Sequence, residues 1–348
     1  MRKRRRCAEA LVASPPLSIR KVASALTLAL AFGLAPAAHA QATEGALFLL
    51  VPVGARATAL GHAGVSRPLG AEGIWWNPAS IGWLTRPEVA VDYAQLEFIQ
   101  GTAVELVAPA GRAGTIAVAG LSFSQGDQDA TDSFGNIVGR LYPRFTVLAA
   151  TYAAPFGDRF SMGVTYKFVR SSQTCSGGCA EQVLYKVSTA AIDLGVQVIA
   201  DSARRLRLGA AIRNFGIVLQ TIDAEQADPL PARLHIGASY TVARATRAVP
   251  WLALDLTGEI VAKRAPQDAD LRVGAEARLG NQLALRAGLP TIKVFSENPS
   301  MSGDGSKAVM GVGFRTGTLS FDFASSFGGS SASAGQPPMY FSIGKSFK

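Results

Sequence analysis

Histidine and cysteine are nearly absent from this chain, three of each in 348 residues. His39 and Cys7 fall within the first forty residues, which leaves His62, His235, Cys175 and Cys179. Those four form no metal-ligand spacing, so no metal site is expected. Gly-x-Ser-x-Gly, P-loop and dinucleotide fingerprints are missing as well. A nucleophilic triad needs a base beside a nucleophile and an orienting acid. His235 shares the parity of Arg233 and Ser239 and is expected among lumenal polar groups, where it has no such setting. The chain is therefore expected to be non-enzymatic and to need no cofactor. Beyond residue 40 it also lacks any apolar run long enough for a membrane helix.

The one long apolar run, Val22 to Leu34, follows a basic start that includes Arg2, Lys3, Arg4, Arg5 and Arg6. Ala38-His39-Ala40 then supplies a small-x-small cleavage site, so residues 1–40 are expected to be a secretory signal. Cys7 precedes the apolar run and cannot be a lipoprotein acceptor. The signal also explains the charge. Of 34 basic and 25 acidic residues, seven and one lie in residues 1–40, leaving 27 against 24. A near-neutral mature chain without a basic stripe gives no reason to expect nucleic acid as a partner. In an exported protein, Cys175-Ser-Gly-Gly-Cys179 is expected to be a local disulfide pinning a loop tip. A metal pair is the alternative, but no histidine or further cysteine lies near.

What the chain has in abundance is alternation. Phe160, Met162, Val164, Tyr166 and Phe168 share one parity, with Ser161, Gly163, Thr165 and Lys167 between them. Strand side chains point alternately to opposite faces, so such a segment has one apolar and one polar face. The pattern recurs near 87–98, 101–109, 114–123, 143–155, 158–170, 184–199, 204–214, 232–243, 250–262, 270–279, 282–289, 306–315, 318–327 and 338–347. Connections alternate too. Short turns (Gly157-Asp158, Asp201 to Arg204, Gly280-Asn281, Thr316-Gly317) trade with long polar stretches at 124–142, 171–183, 215–231, 263–269, 290–305 and 328–337. This predicts an all-β protein: a transmembrane antiparallel up-and-down β-barrel of about 14 strands in the outer membrane, with lipid against its apolar face and short turns in the periplasm. A soluble sandwich would alternate as well. The polar faces, however, carry interleaved Lys167, Asp193, Arg207, Arg233, Asp255, Glu259, Arg272, Glu276, Arg286, Arg315 and Asp322. A wet lumen with mutually compensating charges explains them. Phe341, Ile343 and Phe347 near the C-terminus are similar to the assembly signal of bacterial outer-membrane proteins, although Lys348 follows the last aromatic.

Residues 41–86 do not alternate and are too apolar for water. They are expected to fold as a plug or hatch inside a barrel of residues 87–348, with Asn77 capping a short helix from Pro78 to Leu84. Trp75 and Trp76 are expected to anchor against the wall. Arg56 is expected to pair with a lumen carboxylate such as Asp193 or Asp255, or else to gate a passage or bind a substrate headgroup together with Asn77. Gly54-Ala55-Arg56, Ala59-Leu60-Gly61 and Trp76-Asn77-Pro78-Ala79 resemble the opening of the PorV/PorQ family of outer-membrane proteins. Asp132-Ser133-Phe134-Gly135-Asn136 extends the likeness loosely. That family is similar to FadL-type fatty-acid transporters, which share an Asn-Pro-Ala in an N-terminal hatch. The family often has paired acids before Asn-Pro-Ala; here Glu72 stands alone in Leu69 to Gly73.

The resemblance implies a role in type IX protein secretion, as a docking or shuttle barrel whose partners are secretion components or exported proteins. A FadL-like channel for hydrophobic small molecules such as long-chain fatty acids is the alternative. A third reading is a barrel that serves envelope integrity.

Overall fold

A computed structural model describes residues 44–96, 99–179, 184–219, 227–244, 251–263, 269–293, 308–327 and 337–347. The expected signal and Cys7 lie outside the described residues. Among these residues the wall strands are β1 Glu88–Gln95, β2 Gln100–Pro109, β3 Thr115–Ser124, β4 Gln128–Thr131, β5 Ile137–Phe156, β6 Phe160–Gly177, β7 Tyr185–Ile199, β8 Leu206–Gly216, β9 Arg233–Ala243, β10 Leu252–Ala262, β11 Ala269–Leu279, β12 Leu283–Lys293, β13 Ala308–Thr316, β14 Leu319–Phe327 and β15 Met339–Ser346. Each pairs antiparallel with its chain neighbours, except that β3 pairs directly with β5 and β15 pairs back onto β1. The result is a closed ring of fourteen strands, with β4 standing outside it on an extension of β5.

The side chains are sorted in the reverse of a soluble protein. Leu148 and Ile116 are 55% and 57% exposed, whereas Lys167 and Asp193 are 2% and 0% exposed. Apolar side chains outside and charges inside mean that hydrocarbon covers the outer face and the lumen holds the polar groups. Short connections at Gly157, Asp201, Gly280 and Gly317 close one end of the ring, and the short β1–β2 connection lies at the other. Exposed Tyr152, Phe156 and Trp251 lie near this end, where amphipathic rings suit a membrane interface.

The stretch at 124–142 corrects the expectation of a polar loop. It folds into the β4–β5 hairpin, and β5 and β6 run on past the barrel in register from Phe156↔Phe160 to Gly139↔Gly177. Residues 132–136 turn the chain from β4 to β5, and residues 125–127 link β3 to β4. Asp132 accepts hydrogen bonds from the Asn136 side chain and from the N–H groups of Phe134 and Asn136. Those bonds, the Asn136 side chain first, hold its carboxyl below the usual range. The turn's Asp, Ser and Gly masked the β-formers Ile137, Val138, Leu141 and Tyr142 that follow. The Cys175–Cys179 disulfide closes the tip of β6. β12 likewise reaches Lys293 rather than stopping near 289.

Residues 44–86 contain 3-10 turns at Leu47–Leu50, Gly70–Trp75 and Pro78–Trp83 and one short helix, α1, at Ala55–Ala59. The expected helix at Pro78 is thus a 3-10 turn; Asn77 caps it by accepting the Ala79 N–H at 3.0 Å. This segment meets the wall backbone to backbone. Gly163 of β6 faces Pro78 and Ala79, Gly209 of β8 faces Val65, and Gly274 of β11 and Gly288 of β12 face Leu60 and Gly61. Several of these glycines stand opposite one another across strand pairs: Gly163↔Gly195, Gly209↔Gly237 and Gly274↔Gly288. A Cβ at any of them would overlap the segment, so the missing side chains set how closely it can lie. Gly61 itself sits at φ 65° against Val273 and Leu289, where a side chain is excluded both by conformation and by space.

Gly288→Ala is expected to cost about 1–3 kcal/mol by overpacking and to loosen the N-terminal segment. Limited proteolysis of the purified barrel checks this: cleavage within residues 44–86 should quicken while the wall stays intact.

Candidate functional site

The lumen holds two features, a polar seam that ties residues 53–81 to the wall and a cavity below it. Asn77 is the centre of the seam. Fully buried, it caps its own turn and donates from Nδ2 to the carbonyls of Val65 at 2.7 Å and Val196 at 3.0 Å. Gln197 also donates to Val65 O, at 2.8 Å, and Glu259 accepts the Val65 N–H at 2.9 Å. Glu259 also bonds His235 Nδ1 at 2.6 Å and lies 3.7 Å from Arg272. Arg67 reaches Glu276 at 2.7 Å and Asp255 at 3.7 Å. Arg286 then bridges Glu276 and Asp322, each at 2.6 Å. Ser342 accepts the Ala55 N–H, and Glu88 accepts that of Ala71. Non-repetitive backbone buried in the lumen has orphan N–H groups, and wall side chains take them up.

Of the expected plug residues, Gly54 and Ala55 open α1. Gly61 and Pro78-Ala79 make the glycine contacts, and Trp76 donates to Val53 O at 2.9 Å beneath the Arg213 guanidinium. Trp75 donates to Glu105 at 2.5 Å. Arg56 lies among carboxylates other than the two examples named for it. Its surrounding carboxylates are Asp322, Glu276, Glu72 and Glu88, not Asp193 or Asp255. The reason is topological, because α1 packs against β12 to β15, half a ring away from β7, which carries Asp193. Asp193 is held instead by Lys167 at 2.6 Å, and Asp255 by Arg278 at 2.8 Å. Arg233 pairs with Glu44. Arg207 lies over Trp83, 5.5 Å from the ring centroid, and Arg315 is exposed at the short-turn end.

Three contributors were not foreseen. Arg67 gave no periodic signal because it lies in an irregular stretch. Asp92 and Glu105 are buried on β1 and β2 and face each other beside Glu72, so the wall supplies the acids that the segment lacks. Their parity was hidden because Ala103 and Val107, on the same face, are apolar.

Below the seam, at the short-turn end, lies a half-open cavity of about 730 Å³, lined by nine arginines and three carboxylates. Between the segment and the wall near Val53, Leu121 and Phe123 there is a space of about 10 Å³. That is room for about one water molecule.

Lys167→Met leaves Asp193 buried without its cation and is expected to destabilise the barrel by about 3–5 kcal/mol. Adding Asp193→Asn should recover most of that loss. Both effects are read from urea unfolding in detergent.

The family described as type IX secretion system protein PorV matches residues 35–249. No curated protein sequence matches the chain. Among solved structures the barrel is similar to the CymD monoaromatic hydrocarbon channel, at 15% identity and a TM-score of 0.57 over 86% of this chain and 98% of that one. It is also similar to a TodX monoaromatic hydrocarbon channel deltaS2 mutant, at 12% identity and a TM-score of 0.55 over 85% and 99%. The Pseudomonas putida toluene transporter TodX aligns at 14% identity and a TM-score of 0.50 over 84% and 96%. At such identities the likeness is one of fold. The family match covers more than half of the chain, and with the closed barrel it gives the assignment: this is an outer-membrane protein that belongs to the PorV family of type IX secretion proteins.

Proposed function

We propose that this barrel serves protein export as a docking or shuttle barrel and does not pass solutes through its lumen. In this reading residues 41–86 are the closing segment and residues 87–348 the wall. The observation that carries it is the seam. The segment is tied to β1, β7, β8, β10, β11 and β15 by side chain to backbone bonds and ion pairs, and the wall glycines let it lie flush. Arg56 and Asn77 are then holding residues, not gates. What remains open is the charged cavity and the projecting β4–β6 edge with its disulfide. Both are surfaces on which a protein can rest.

A hydrophobic-solute channel is the second reading, and the fold it shares with the hydrocarbon channels favours it. The chemistry of the lining favours the first: the cavity of about 730 Å³ has the size of a small-ligand site but is lined by nine arginines. The gap beside Val53 and Phe123 is about 10 Å³, whereas a site for a small organic ligand is ~300–1,000 Å³.

Deleting the gene in its host is expected to trap exported proteins in the periplasm and deplete them from the medium, as read by quantitative proteomics of both fractions. An unchanged medium would remove the export reading. Toluene and palmitate are expected to leave the thermal unfolding of the purified barrel unmoved; a saturable shift would instead favour the channel.

A further inference from the structure

The cavity at the short-turn end is more basic than its own ion pairs require. Its carboxylates, Asp255, Glu276 and Asp322, are already engaged by Arg67, Arg278 and Arg286. Among the described residues Arg205, Arg207 and Arg315 have no carboxylate within ion-pair distance, yet all three line the cavity. Arg207 is held in place by its stack on Trp83, and Arg315 is exposed. Guanidinium groups in a half-enclosed, low-dielectric mouth focus positive potential and attract anions.

Their placement limits what the anion can be. Arg205 immediately precedes β8 and Arg207 lies at its start, while Arg315 is next to last in β13, with four strands between them. That is roughly 24 Å of wall at the usual inter-strand spacing. One phosphate or one carboxylate cannot bridge such a gap. A chain that carries several carboxylates can, and Asn281 and Gln282 on the same rim offer amides for its backbone. Short turns of an outer-membrane barrel face the periplasm, so the ligand arrives from there. We propose that this vestibule binds an acidic peptide segment of a periplasmic protein. The choice of a protein ligand rests on the export reading; the anion site itself rests on the arginines.

The test uses the full-length barrel in detergent with fluorescein-labelled hexaglutamate, read by polarisation. Saturable binding that weakens with added salt is expected, with none for labelled hexaglutamine. Arg205→Gln/Arg207→Gln/Arg315→Gln should lower the affinity at least tenfold while keeping the heat-modifiable gel mobility of a folded barrel. Lysine at the same three positions should stay within a few-fold of the parent. Equal binding of hexaglutamine, or undiminished affinity in the glutamine variant, would overturn the proposal. So would displacement of hexaglutamate by inorganic phosphate at matched charge, which would mark a small-anion site. No secretion component is present in this measurement. A negative result therefore leaves the export reading to its own proteomic test, and a positive one stands even if export is unaffected.

Discussion

Hydrocarbon offers no hydrogen-bond partner, and that constraint orders the rest of this molecule. A wall of paired strands satisfies its own backbone, so only side chains need sorting. Apolar ones face lipid, and Lys167, Asp193, Glu259 and Arg286 face inward. The inward charges would carry a heavy desolvation cost alone, and they are met in pairs and triads. The enclosed N-terminal segment completes the arrangement. Its irregular backbone needs acceptors, and the wall's carboxylates, hydroxyls and amides need donors, so each satisfies the other.

Glycine makes that exchange possible. Val65 can reach Gln197, Glu259 and Asn77 at once because Gly209 and Gly237 leave no side chains beneath it. The same residues that weaken a strand in isolation let two backbones come within bonding distance. Larger residues along β6 to β12 would hold the segment off the wall and strand its polar groups.

Much of the wall was legible because a period of two survives wherever one face is lipid and the other is charged. Leu206 to Arg213 and Asp270 to Leu279 read directly, and their inward charges fall on the lumen side. Legibility failed where that contrast failed. On β2 the inward face is apolar at Ala103 and Val107 and the outward face at Val104 and Leu106, so Glu105 passed unnoticed. At 124–142 turn-forming residues at one tip concealed two flanking strands. Within residues 44–86 the motif residues pointed to a plug, but the partners of Arg56 and the role of Arg67 depend on which strand each wall charge occupies around the ring. No local pattern carries that information; it exists only once β15 has closed on β1.

The seam also bears on how such a barrel can work. Withdrawing residues 53–81 would separate Arg67 from Glu276 and strip Glu259 of the Val65 N–H. It would also break the bonds from the Asn77 amide to the wall carbonyls of Val196 and Ala210. Glu276 would keep Arg286 and Glu259 would keep Arg272, but each orphaned polar group costs about 1–3 kcal/mol. Those terms fall together, because the segment crosses the lumen as one connected span. A domain's whole stability is ~5–15 kcal/mol, so an excursion of this size is comparable with unfolding. A segment held in this way leaves the mouth and the rim as surfaces that can be reached without breaking it. Both are polar, and the mouth carries more positive charge than its own contacts use.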